Sequence, residues 1–148
     1  MEKQVVISIK GMQKYADTDP DVIELVTEGR LTRQGRDSYI LSYQESEITG
    51  LDGTLTTIHV DGEQVTLVRT GEFNSQMVFQ EGRRHLSMYN TPYGAMAIGV
   101  NTRHLLADLN DQGGNIEIDY AIEVDHALAG RNVFQIKVTE NRGESLRQ

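Results

Sequence analysis

Ile116-Glu-Ile-Asp-Tyr-Ala-Ile-Glu-Val-Asp125 alternates along its length, with Ile116, Ile118, Tyr120, Ile122 and Val124 on one side and Glu117, Asp119, Glu123 and Asp125 on the other. Successive side chains of a strand point to opposite faces, so the spacing predicts a strand with one buried and one wet face. The acidic side therefore reads as a solvated outer surface, not as a catalytic carboxylate cluster.

Working outward, Asp111-Gln-Gly-Gly-Asn115 before this strand is a turn, and Ala129-Gly130 after it is expected to turn into a further strand over Val133–Val138. Thr54–Val60 and Glu63–Thr70 flank Asp61-Gly62, a strong hairpin signal because a type I′ turn needs φ > 0 at both central residues. Val5 to Lys10, Asp21 to Leu31, Ser38 to Glu45, Gln76 to Gln80 and His85 to Thr91 add further β-rich runs between polar turns. In Met88–Val100, Thr91-Pro92 sets a bend, and Gly94 and Gly99 mark places where a sheet kinks or another backbone comes close. Arg103–Asn110 fits either a short helical turn, through Leu105, Leu106 and Leu109, or a strand continuing through a bulge.

About nine or ten strands joined mainly by short turns, with no βαβ spacing, make the chain all-β. A meander this long with one apolar face closes on itself and so removes its edges. The expectation is a single antiparallel up-and-down barrel of about 8–10 strands, one domain over 1–148 with a polar tail over 141–148. A two-sheet sandwich is the alternative, and the scarcity of long crossover loops argues against it.

With 22 acidic and 14 basic residues the formal charge is −8, which opposes a general affinity for nucleic acid or anionic membrane. Gly82-Arg83-Arg84-His85 is the basic cluster to weigh for phosphate, against a plain solvated loop. The N-terminal apolar stretch is too short for a signal peptide, and no run approaches the roughly 18 apolar residues of a membrane span. A cytoplasmic protein is expected. The chain has no cysteine, which excludes disulfides, thiol catalysis and cysteine metal sites.

Enzyme chemistry finds little footing. His59, His85, His104 and His126 show no metal-ligand spacing, no Gly-x-Ser-x-Gly elbow is present, and the glycines at 113 and 114 precede a strand, not a helix that could hold phosphate. No cofactor and no metal are expected. Binding is the better prospect. Arg69 shares strand parity with Val65 and Leu67 and so faces the interior, where an arginine must be paired. One reading makes Arg69, with Tyr39 or Tyr43 and Tyr89 or Tyr93, the receptor for a ligand carboxylate or phosphate. The other pairs Arg69 with Glu45 or Glu72 as a structural bridge, or leaves it exposed. Six tyrosines likewise suit either a pocket wall or cross-strand packing.

Leu41-Ser-Tyr-Gln-Glu45, Val68-Arg-Thr-Gly71, the pair Phe79 and Gly82, and Tyr89-Asn-Thr-Pro-Tyr-Gly94, in this order, resemble the YwiB-like family of small bacterial proteins over about residues 3 to 140. The resemblance implies a calycin-like barrel, related in shape to lipocalins and fatty-acid-binding proteins, and an uncharacterised role. The chain has no tryptophan, and so lacks the Gly-x-Trp signature of secreted lipocalins. Two readings lead: a non-catalytic binder of a small amphipathic or anionic molecule, and a side-chain-filled barrel acting as a protein-interaction module. Either is compatible with a monomer or a homodimer.

Overall fold

The computed structural model describes residues 2–14, 19, 21–45, 52–71, 74–91, 94–124 and 127–140, and their side chains except at 87–91, 95 and 96. The expected turn at Asp17–Pro20, Pro92, Tyr93, Glu72, His126 and the tail over 141–148 lie outside the described residues, apart from Asp19. Ten strands follow one another: β1 (Glu2–Lys14), β2 (Asp21–Gly35), β3 (Ser38–Gln44), β4 (Thr54–Asp61), β5 (Gln64–Gly71), β6 (Ser75–Gln80), β7 (Arg84–Thr91), β8 (Gly94–Asn110), β9 (Gly113–Val124) and β10 (Ala127–Glu140). Each pairs antiparallel with the next, and β1 also pairs with β10, which closes the sheet into an up-and-down barrel. Its thinnest seam is β6–β7, joined by the register pair Ser75–Tyr89.

The alternation that predicts β9 is also what aligns the core. Ile9, Ile136, Ile116 and Ala107 form one inward row across β1, β10, β9 and β8, and Phe134, Ile118 and Leu105 form the next. Ile116, Ile118 and Tyr120 are buried, and Ile122 is half-buried against the core. Phe79 reaches across to Tyr120, with ring centroids 4.7 Å apart, so large side chains from opposite walls meet inside the barrel.

One open reading resolves, to the strand with a bulge, and two local expectations change. Arg103–Asn110 is strand: the register shifts between Thr102 and His104, and the extra residue lets Thr102 and Leu105 both face inward. That odd spacing is what imitates a helical stripe. Ala129-Gly130 is not the hairpin turn, because β10 runs through it from Ala127, with an irregularity between Leu128 and Gly130. In the β4–β5 hairpin Asp61 pairs with Gln64, so the two loop residues are Gly62-Glu63. Gly62, at φ 61°, takes the first loop position, where a type II′ turn also places glycine.

One end of the barrel is tied shut. Lys3 Nζ donates to the Asp111 carbonyl at 2.7 Å and pairs with Glu140. Tyr39 donates its hydroxyl to Asp111 Oδ1 at 3.0 Å, and Arg33 reaches Asp111 Oδ2 at 3.4 Å. The β8–β9 turn is thereby bound to β1, β2, β3 and β10 across this end.

Candidate functional site

The opposite end, from which the β3–β4, β5–β6 and β7–β8 connections leave, carries the polar interior. Tyr43 on β3 is the register partner of Thr56 on β4, Thr56 of Arg69 on β5, Arg69 of Ser75 on β6, and Ser75 of Tyr89 on β7. This is one continuous rung of polar positions across consecutive strands, and it crosses the thin β6–β7 seam.

Arg69 does face inward, as parity predicts, and its partner is Glu45: Nε lies 3.8 Å from Oε2, with side-chain exposures of 17% and 1%. Glu45 sits just past the end of β3 and is held by more than this charge. The Thr56 hydroxyl donates to its Oε2, and its own backbone N–H donates to the Thr54 carbonyl at 2.8 Å. Burial pushes the Tyr43 phenol well above its ordinary value, followed by the charge of Glu45, with Arg69 pulling the other way. Tyr43 therefore stays neutral and serves as a donor.

The interior below this rung is packed. The void lined by Arg69, Tyr43, Leu67, Val65, Ile118 and Phe134 measures about 20 Å³. That is room for about one water molecule. Among the described residues, Arg69 Nε and Ser75 Oγ, neighbours in register at the rung, are nevertheless buried without a hydrogen-bond partner.

Of the five sequence-predicted site residues, Arg69 and Tyr43 line the same void. Tyr89 holds a position two strands from Arg69 at the same level. Tyr39 belongs to the tied end, bonded to Asp111, and Tyr93 lies outside the described residues. Sequence reasoning missed Thr56 and Ser75. Thr56 was within reach, since it shares parity with Ile58 and Val60, but a threonine in a β-rich run reads as an ordinary strand former.

In the basic cluster Arg84 is already engaged. Arg84 spans the outer surface of β8 to bond Glu123 at 2.6 Å, and its guanidinium lies over Gly99. A Cβ on Gly99 would stand 2.7 Å from Arg84 Nη2, so Gly99→Ala should displace that half-exposed bridge. The expected loss is within about 1 kcal/mol, with no further loss when Arg84→Ala is added, as a double-mutant cycle by urea denaturation would show.

Larger hollows lie on the outside of the barrel. One of about 580 Å³ crosses β2, β1, β10 and β9 among Ser8, Lys10, Glu24, Val26, Glu117 and Lys137. Another of about 440 Å³ crosses β1 to β4 among Gln4, Glu28, Arg30, Ser42, Gln44 and Leu55. Among the described residues no three His, Asp or Glu side chains come together as a metal site. Among the same described residues no helix is long and apolar enough to cross a membrane.

Fold and interior together define a ten-stranded antiparallel barrel, side-chain-filled among the described residues, with a polar rung near one end. The chain belongs to the family described as a domain of unknown function, DUF1934, whose model matches residues 7–136. It is similar to the uncharacterized β-barrel protein YwiB of Bacillus subtilis (strain 168), at 25% identity over 123 residues, covering 83% of this chain and 84% of that one. The crystal structure of the ywiB protein from Bacillus subtilis superposes with a TM-score of 0.81 at 23% identity, over 95% of this chain and 93% of that chain. The barrel is thus shared, and the role of the family is uncharacterised.

Proposed function

We propose that the protein is a non-catalytic, cytoplasmic protein-interaction module that works through its outer surface. The observation that carries this reading is the small size, about 20 Å³, of the interior void found among the described residues. Enclosing an organic ligand takes roughly 300 Å³ or more. Up-and-down strand order supports the calycin-like reading, but a barrel that stores a ligand, as lipocalins do, must leave its lumen open. Here Phe79, Tyr120 and Phe134 occupy the corresponding space.

The face over β2, β1, β10 and β9 suits a protein partner of mixed charge. Lys10 and Lys137 on the two middle strands are flanked by Glu24 and Glu117 on the outer two, and Met12, Val22 and Val26 stand exposed on the same side. On a chain of net charge −8 this is a locally balanced patch, where another protein approaches without repulsion. Nucleic acid or anionic lipid would need a positive face instead.

Native mass spectrometry of the protein purified from its own host tests the reading. The expected result is a protein-sized added mass that disappears in Val26→Lys while the barrel stays folded. Recovery of the bare chain, or of a chain carrying only a small molecule, would overturn it.

A further inference from the structure

We infer that the rung Tyr43–Thr56–Arg69–Ser75 is the floor of an oxyanion site, holding one carboxylate or phosphate group at the end of the barrel from which the β3–β4 and β5–β6 connections leave. This goes beyond the outer-surface reading and stands or falls independently of it. Arg69 Nε and Ser75 Oγ are buried donors on adjacent strands, and neither has a hydrogen-bond partner among the described residues. A buried donor left without a hydrogen bond is costly, and an oxygen that accepts from both groups removes that cost. Glu45 does not fill the role, since its Oε2 lies 3.8 Å from Nε, beyond hydrogen-bond reach, and already accepts from Thr56.

The geometry also states what kind of molecule fits. Arg69 keeps 17% of its side chain exposed, so the guanidinium can be approached from outside, and its planar fork matches the paired oxygens of a carboxylate or phosphate. The void beneath has room for about one water molecule, so only an oxygen or two of the charged group reaches the rung and the rest of the molecule lies outside the void. Glu45 sets the strength. Its carboxylate balances Arg69, so a second anion binds against a charge already present, and removing that charge must tighten binding.

The test is an NMR titration of the full chain at fixed ionic strength, with acetate in one arm and inorganic phosphate in the other, following the Arg69 Nε–H and the backbone amides of 56, 69 and 75. Saturable shifts confined to these positions are expected from at least one probe, acetate alone marking a carboxylate site and phosphate alone a phosphate site. Glu45→Gln should tighten binding on the order of ten-fold, and Ser75→Ala should weaken it. Because Arg69→Met alone strands Glu45, the folded control is the double variant Arg69→Met with Glu45→Gln, which should show no saturable shift. No saturation by either probe in the wild type and in Glu45→Gln, or binding by the double variant equal to that of Glu45→Gln, would overturn the proposal.

Discussion

Ile116→Asp should destabilise the barrel by about 4 kcal/mol or more, enough to unfold it or nearly so. Ile116 is fully buried, and its register partners on either side are Ile136 and Ala107, so a carboxylate there meets only aliphatic neighbours. Arg69 cannot rescue it, since that guanidinium is already balanced by Glu45. Two controls bracket the claim by urea denaturation. Ile116→Val should cost about 1 kcal/mol, the loss of one buried methylene. Glu117→Ala, one residue along and facing outward, should stay within about 0.5 kcal/mol. Comparable losses at 116 and 117 would mean that β9 is turned over in its register.

That contrast explains why β9 was legible from sequence and parts of β8 and β10 were not. Where one face is wet and the other buried, alternation is enforced residue by residue, and Ile116 to Tyr120 show it plainly, before burial evens out over Ala121 to Val124. In β8 the extra residue at Arg103 moves the inward set from Ile98, Val100 and Thr102 to Leu105, Ala107 and Leu109. Parity read straight through that point fails, and Leu106 ends up exposed. Gly130 misleads for a related reason: glycine marks both turns and irregular strand pairing, and nothing local separates the two.

The site was legible in its parts and not in its assembly. The inward direction of Arg69 follows from Val65 and Leu67 on its own strand, and Glu45 stood among its possible partners. The rung itself is a property of register across β3 to β7, set by four hairpins whose lengths act together. Tyr39 and Tyr43 share a strand face, and sequence alone does not say which one comes level with Arg69. The register does: Tyr43 aligns with Thr56 and Arg69, whereas Tyr39 aligns with Val60 and Val65, four residues nearer the tied end.

Gly114→Ala should cost about 3 kcal/mol or more, for two separable reasons. Gly113 and Gly114 bring β9 in between β8 and β10 immediately after the Asp111-Gln112 turn, and Gly114 does so at φ 143°. An L-residue rarely adopts that conformation. The second reason is steric: a Cβ at 114 would lie 1.9 Å from the carbonyl oxygen of Asp108. That oxygen belongs to the backbone of the neighbouring strand, so relief requires the strand itself to move. Gly62→Ala separates the two effects, because Gly62 also has positive φ, at 61°, but a Cβ there meets nothing within 4 Å. Its cost should be the left-handed penalty alone, about 1 kcal/mol. Urea denaturation of the pair gives the difference. Equal losses would show that β8 yields freely at Asp108, and hence that the turn at Asp111 is not the rigid clamp implied by its bonds to Tyr39, Arg33 and Lys3.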